Sequence, residues 1–194
     1  MRDRGPLRRH RRLNLERVNI HLSLPDEAAT ERAGRALATA IRESSDAIER
    51  AGLVIGLSGE LGTGKTAWVR AALRGLGVEG PVKSPSFSLL EVYVVSRLNF
   101  YHFDFYRFKE PAEFVSAGFR EYFGAGSICA IEWPERLAGE LPPEDLRITL
   151  SMADPGRRAA LSASTLLGGL CLNRISAELR DLAIATSPTR NGDD

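Results

Sequence analysis

Residues 59 to 66 read GELGTGKT and satisfy the pattern G-x-x-x-x-G-K-[ST] at every fixed position. No other stretch constrains the fold as strongly, because this pattern does its chemistry only between a buried strand and a helix. Gly62 and Gly64 let a tight backbone turn its N–H groups toward an anion with no Cβ in the way, and the positive end of the following helix adds its dipole. Lys65 has the reach for the outer phosphates of a nucleotide, and Thr66 offers a hydroxyl to Mg²⁺. Both required flanks are present. Leu53 to Ser58 is a continuous apolar run of the kind that forms a buried parallel strand, and Lys65 to Leu73 has helical spacing until Gly75 and Gly77 stop it.

The rest of the chain extends this strand–loop–helix unit. Pro25-Asp26-Glu27 opens a run whose apolar positions Ala29, Ala33, Ala36, Leu37, Ala40, Ile41 and Ile48 recur every three or four residues, which predicts one helix of about 20 residues. Phe87–Val95 and Asn99–Arg107, separated by Ser96-Arg97-Leu98, predict an antiparallel hairpin, and Pro111–Gly118 a short helix. Ser127–Ile131 is a second buried-strand run. Leu146–Met152 and Arg158–Ser164 read as two edge strands around Asp154-Pro155-Gly156, and residues 166–186 read as helix. The expectation is an α/β fold of the P-loop NTPase class, with a mostly parallel central sheet flanked by helices and one antiparallel hairpin. Residues 1–20 read as a basic, disordered leader, 21–165 as the ATPase domain, and 166–194 as a helical extension with a flexible tail.

Magnesium bound to phosphate takes one or two carboxylates, so acids at strand ends are the next candidates. In HFDFYR (102–107), alternation puts Tyr101, Phe103 and Phe105 on one face and His102, Asp104 and Tyr106 on the other, while Glu132 closes the apolar run before Trp133-Pro134-Glu135. Asp104 is expected at the metal, and Glu132 is expected to orient or deprotonate a water; taken singly, each also fits an ordinary loop acid. Ser84 and Ser86 flank a proline ahead of a strand and fit either turn chemistry or a switch that senses the γ-phosphate. Trp133 is either a core aromatic or a platform beside the site. Arg107, Arg120 and Arg136 fit either a phosphate, a partner's acid or simple surface positions.

Charge is unevenly spread. Residues 1–17 carry seven arginines against Asp3 and Glu16, a local +5, so the formal net charge of +1 leaves −4 on the remainder. Such an arm attracts RNA phosphates, or is simply a solvated leader. No apolar run is long enough for a membrane-spanning helix, and Asn14, Glu16, Asn19, His21 and Ser23 interrupt any secretory signal, so the cytoplasm is the expected location. Cys129 and Cys171 sit singly among apolar neighbours and read as small buried hydrophobes, with no ligand spacing among His10, His21 and His102.

GELGTGKT, Lys83 with SPSFSL, YHFDFYR and IEWPE, in this order and spacing, resemble the TsaE (YjeE) family over about residues 22–165. These are small bacterial P-loop ATPases required for threonylcarbamoyladenosine (t6A) modification at position 37 of tRNA. The resemblance implies that ATP binds at Glu60, Leu61, Gly62, Thr63, Gly64, Lys65 and Thr66, with Mg²⁺ on Thr66 and near Glu132 and with Asp104 close to the metal or phosphates. It places Thr30 near the nucleotide base and Arg157 near a later nucleotide contact. Ser86 and Ser88 replace the family's usual threonines and keep the hydroxyls, Phe105 replaces a leucine, and Thr63 an alanine. It further implies action on a TsaB–TsaD heterodimer, with tRNA met indirectly or weakly and hydrolysis slow without partners. The rivals are a small-molecule kinase, disfavoured because residues 80–107 predict a hairpin instead of a helical lid, and a nucleotide-dependent binding switch whose hydrolysis is incidental.

Overall fold

A computed structural model describes residues 19–137 and 139–184. The strands are β1 (Asn19–Leu24), β2 (Leu53–Ser58), β3 (Leu90–Val95), β4 (Leu98–Asp104), β5 (Ser127–Glu132), β6 (Leu146–Met152) and β7 (Arg157–Ala163). The helices are α1 (Glu27–Glu43), α2 (Ser45–Ala51), α3 (Lys65–Gly75), α4 (Ala112–Ser116) and α5 (Leu166–Glu178). The strands form one sheet in the order β1-β7-β6-β2-β5-β4-β3. Its centre is parallel, β6, β5 and β4 running with β2, and its flanks are antiparallel through β6–β7, β7–β1 and β3–β4. The expected α/β sheet with an antiparallel hairpin is therefore present, as β3–β4, and β6–β7 forms a second. The sequence-derived readings of the arginine-rich leader and of the tail beyond residue 184 lie outside the described residues.

The two faces of the sheet carry different cores. Ile55, Leu57, Phe100, Ile128, Ala130 and Ile148 face α1, α3 and α5, whereas Phe103, Cys129 and Ile131 join an aromatic cluster with Phe105, Phe108 and Phe114 under the segment that leads from β4 to β5. In that cluster the Phe105 and Phe108 rings meet edge-to-face at 4.8 Å, a favourable quadrupole geometry. Both cysteines are free and buried, and burial raises their thiols, Cys171 to about 11.

Four expectations need correction. The segment Asn19–Leu24 has the alternation of a strand, Leu22 and Leu24 turned into the core, and it is an edge strand paired with β7, so Asn19 and Ile20 belong to the sheet and not to the disordered leader that the sequence assigns to residues 1–20. Because β1 covers β7 and β2 covers β6, neither β6 nor β7 is an edge; the edges are β1 and β3. The predicted single helix breaks at Ser44, whose N–H caps the Ala40 carbonyl before α2 begins and buries Ile48. The hairpin is shorter than expected, turning through Ser96-Arg97 alone, with Ser96 at φ 56°. Phe87–Leu89 precede it in a turn, and the Asp104 carboxylate accepts the Tyr106 N–H at 3.0 Å, which ends β4 three residues early.

Helix α5 is part of the main core: Cys171, Leu172 and Ile175 are buried with α1 residues. It is anchored by Thr165, whose hydroxyl caps Gly168 N–H at 3.1 Å and donates to Asp145 at 2.6 Å, while the same carboxylate accepts Val54 N–H at 2.8 Å at the start of β2. On α1, the Asp26 carboxylate caps Ala29 N–H at 2.7 Å, and a stripe of alanines lets α3 lie close. The tightest point is Gly34, where an added Cβ would lie 2.5 Å from Ala71 Cβ and 2.6 Å from the Trp68 carbonyl oxygen. On a free helix Gly→Ala gains about 1 kcal/mol; here overpacking costs about 1–3 kcal/mol and wins. Gly34→Ala is expected to lower unfolding free energy by up to about 2 kcal/mol in urea titration, and a stabilised variant would show that α1 and α3 are not packed as described.

Candidate functional site

The glycine loop leaves β2 at Ser58 and enters α3 at Lys65. Its positive φ values, 83° at Gly62 and 99° at Gly64, are the left-handed angles that L side chains resist, which is why glycine stands there. The Lys65 ammonium is buried, folds back to donate to the Gly59 carbonyl at 2.6 Å and the Glu60 carbonyl at 2.8 Å, and lies 3.9 Å from the centroid of the Trp133 ring. Burial lowers its pKa, opposed by the charges of Glu132, Glu135 and Asp104.

The acids reach the loop through strand register. In the parallel pair β4–β5, Asp104 stands opposite Glu132, and in β2–β5 Glu132 stands opposite Leu57, one residue before the strand's end. The Thr66 hydroxyl donates to Glu132 Oε1 at 2.8 Å, with Oε2 at 3.1 Å. Ser84 Oγ donates to Asp104 Oδ2, so the serine loop is tied to one acid and the glycine loop to the other. On the far side of Glu132, the fully buried His102 ring places Nε2 2.9 Å from Oε1.

Leu61, Gly62, Gly64, Lys65, Thr66, Ser84, Ser86, Asp104, Tyr106, Arg107, Glu132 and Trp133 line one cavity of about 490 Å³. Most of the residues singled out from sequence thus converge there. Glu60 and Thr63 shape the loop instead, the Glu60 carbonyl accepting Lys65 and, at 2.8 Å, the Thr63 hydroxyl. Thr30 is buried on α1, its hydroxyl 3.2 Å from the Asp26 carbonyl, and is not among the lining residues. Arg157 packs against the loop, its Nε 3.2 Å from where a Cβ on Gly64 would stand, and that buried nitrogen has no hydrogen-bond partner among the described residues. Of the uncertain residues, Trp133 is the platform: its ring also meets Tyr106 at 5.0 Å. Arg107 lies at the cavity, 4.5 Å from the exposed Phe87 ring, whereas Arg120 pairs with Glu140. Alternation puts His102 on the Asp104 face without giving it a role, and nothing local in the sequence shows that it reaches Glu132.

This donor set suits a phosphate chain carrying a hard divalent cation. Among the described residues the Lys65 ammonium forms no ion pair and is held by two carbonyls and the Trp133 ring, and the hydroxyl of Thr66 with the carboxylates of Glu132 and Asp104 can supply oxygen ligands.

Comparison with known proteins agrees. The family profile described as "Threonylcarbamoyl adenosine biosynthesis protein TsaE" matches residues 24–160. The chain belongs to the TsaE family. It is 39% identical over 145 residues to the Haemophilus influenzae protein named tRNA threonylcarbamoyladenosine biosynthesis protein TsaE, covering 75% of this chain and 90% of that protein. A Rickettsia felis protein of the same name is 30% identical over 175 residues, covering 87% and 97%. The crystal structure of Bacillus subtilis YdiB superposes with a TM-score of 0.64 at 25% identity, covering 84% of this chain and 95% of that one. The TsaE match spans every cavity-lining residue and stops short of α5.

The two tryptophans differ usefully, since Trp68 is fully buried and Trp133 covers Lys65. Titration with inorganic triphosphate and Mg²⁺ is expected to draw Lys65 from the ring and change tryptophan emission. Trp133→Phe should abolish the change, and a change that survives in that variant would place the anion elsewhere.

Proposed function

We propose that this chain binds ATP with Mg²⁺ in the cavity, hydrolyses it, and serves tRNA t6A biosynthesis by acting on a TsaB–TsaD-like heterodimer. The observation that carries the reading is the convergence of Lys65, Thr66, Asp104 and Glu132 in one cavity inside the TsaE-matched span. The names of the Haemophilus and Rickettsia relatives, of which this chain covers nine-tenths or more, supply the process.

The chain's own groups divide the work. Lys65 exchanges neutral carbonyls for the outer phosphates, and the arriving anion offsets the burial that lowers its pKa. Thr66 and Glu132 would hold the metal, which when bound neutralises charge on the phosphates. Glu132 orients the attacking water and takes its proton, while Asp104, fixed by Ser84 and the Tyr106 N–H, completes the oxygen set. The serine loop is the switch in this reading, which is supported by Ser84 and Ser86 lining the same cavity as Lys65 and Thr66. Residues 81–107 contain the β3–β4 hairpin and no helix, which favours transfer to water over a kinase with a helical lid. The mouth is open, Leu61 being 74% and Phe87 85% exposed, so hydrolysis is slow until a partner covers the site and excludes water. No helix among the described residues is long and apolar enough to cross a membrane, in keeping with a cytoplasmic place of action.

Multiple-turnover t6A formation on tRNA by reconstituted partner enzymes should depend on this chain and fail with Lys65→Ala; equal rates without the chain would sink the reading. Glu132→Gln is expected to bind ATP within about threefold of the parent while release of free phosphate falls about 10²-fold or more. Phosphate on a metabolite instead of in solution would favour the kinase.

A further inference from the structure

We infer that His102 is a positioning residue for Glu132, holding the carboxylate in its working orientation when Thr66 turns its hydroxyl to the metal. The inference rests on the proposed role of Glu132, but the geometry is independent of it. Among the described residues, the hydrogen bonds to the Glu132 carboxylate come from Thr66 and His102, and Oε1 accepts both, from Nε2 at 2.9 Å and from Oγ1 at 2.8 Å. Thr66 is also the expected metal ligand, so its hydroxyl has two uses. Once it is committed to the metal, His102 is the hydrogen-bond donor among the described residues that still holds Oε1, which leaves Oε2 free to face the metal and the water.

Burial argues that this is more than a core histidine. A fully buried imidazole is expensive unless its nitrogens are paired. Here Nε2 has Glu132, and Nδ1 is buried with no hydrogen-bond partner among the described residues. A proton on Nε2 donates to the carboxylate and leaves only a lone pair at Nδ1, whereas a proton on Nδ1 would bury an unpaired N–H and set two lone-pair atoms, Nε2 and Oε1, against each other. An apolar residue would fill the position at lower cost; the single satisfied nitrogen is spent entirely on Glu132. The strand register makes room for it: His102 stands opposite Ala130, whose side chain is only a methyl, so the ring leans toward Glu132 two residues further along β5.

Two readouts test this on the full chain. In long-range ¹H–¹⁵N NMR, with His102→Phe assigning the signal among the three histidines, His102 should show the Nε2-protonated tautomer; an Nδ1-protonated ring would overturn the inference without any reference to ATP. In steady-state kinetics with partners present, His102→Phe is expected to lower kcat about 10- to 100-fold with KM for ATP changed less than about threefold, because misplacing a catalytic group costs turnover more than binding. His102→Gln, whose amide N–H reaches the Nε2 position, should recover kcat to within about threefold of the parent, and His102→Asn, which reaches only the Nδ1 position, should not. Unchanged kcat in His102→Phe, or equal loss in the Gln and Asn variants, overturns the inference. If His102→Phe does not fold, the contrast of Gln with Asn decides. Absence of ATP hydrolysis by the parent would instead sink the proposed function, leaving the tautomer to judge the pairing.

Discussion

The parallel register of β2, β5 and β4 is the constraint on which the rest of the site depends. It places Leu57, Glu132 and Asp104 in one row across three strands, beside the loop that follows β2. Alternation makes that register costly to change. On β5, Ile128 and Ala130 face the helical core, whereas Cys129 and Ile131 face the aromatic one. A slip by one residue would turn Glu132 into the phenylalanine cluster and apolar residues into the cavity, and an unpaired buried carboxylate costs several kcal/mol.

The aromatic cluster also anchors β4. Phe103 and Phe105 are held on one face by neighbouring rings, Phe103 stacking with Phe123 at 5.7 Å, so His102 and Asp104 between and beside them are fixed on the opposite face. The site's polar groups are thus positioned by packing on the far side of the sheet. Trp133 is fixed in a different way. It adopts φ 62°, a left-handed angle that costs a non-glycine residue about 1–2 kcal/mol. Its N–H donates to the Leu57 carbonyl and its own carbonyl accepts Arg136 N–H, each at 3.1 Å, and the result is an indole laid over the Lys65 ammonium. The ring therefore covers a cation that forms no ion pair among the described residues.

Much of the fold was legible because its signals are local. The run LVIGLS, the glycine loop and the helical spacing after Lys65 read correctly, since a strand buried on both faces and a helix with a small-residue stripe each mark their own sequence. What was missed depended on partners distant in the chain. Asn19–Leu24 is a strand only because β7 lies beside it, and β6 and β7 are interior only because β2 and β1 flank them. The early end of β4 at Asp104 follows from a side-chain hydrogen bond that competes with regular structure, and the break at Ser44 from a local turn of the backbone to φ −97° and ψ 8°; hydrophobic periodicity registers neither.

The sequence by itself determined that a glycine loop of the phosphate-cradling pattern sits between a buried strand and a helix, with Lys65 and Thr66 at its end, and that Asp104 and Glu132 are strand-end acids, because loop, spacing and alternation are properties of neighbouring residues. Only the tertiary structure decided that these acids share one cavity, that Trp133 is a platform and not a core ring, that Arg157 lies against Gly64, and that His102 holds Glu132. Each of those facts is a meeting of strands or loops 30 or more residues apart in several cases, such as His102 and Glu132. Such meetings are set by sheet order and register, which arise from burying two faces of one sheet at once and are not written in any single segment.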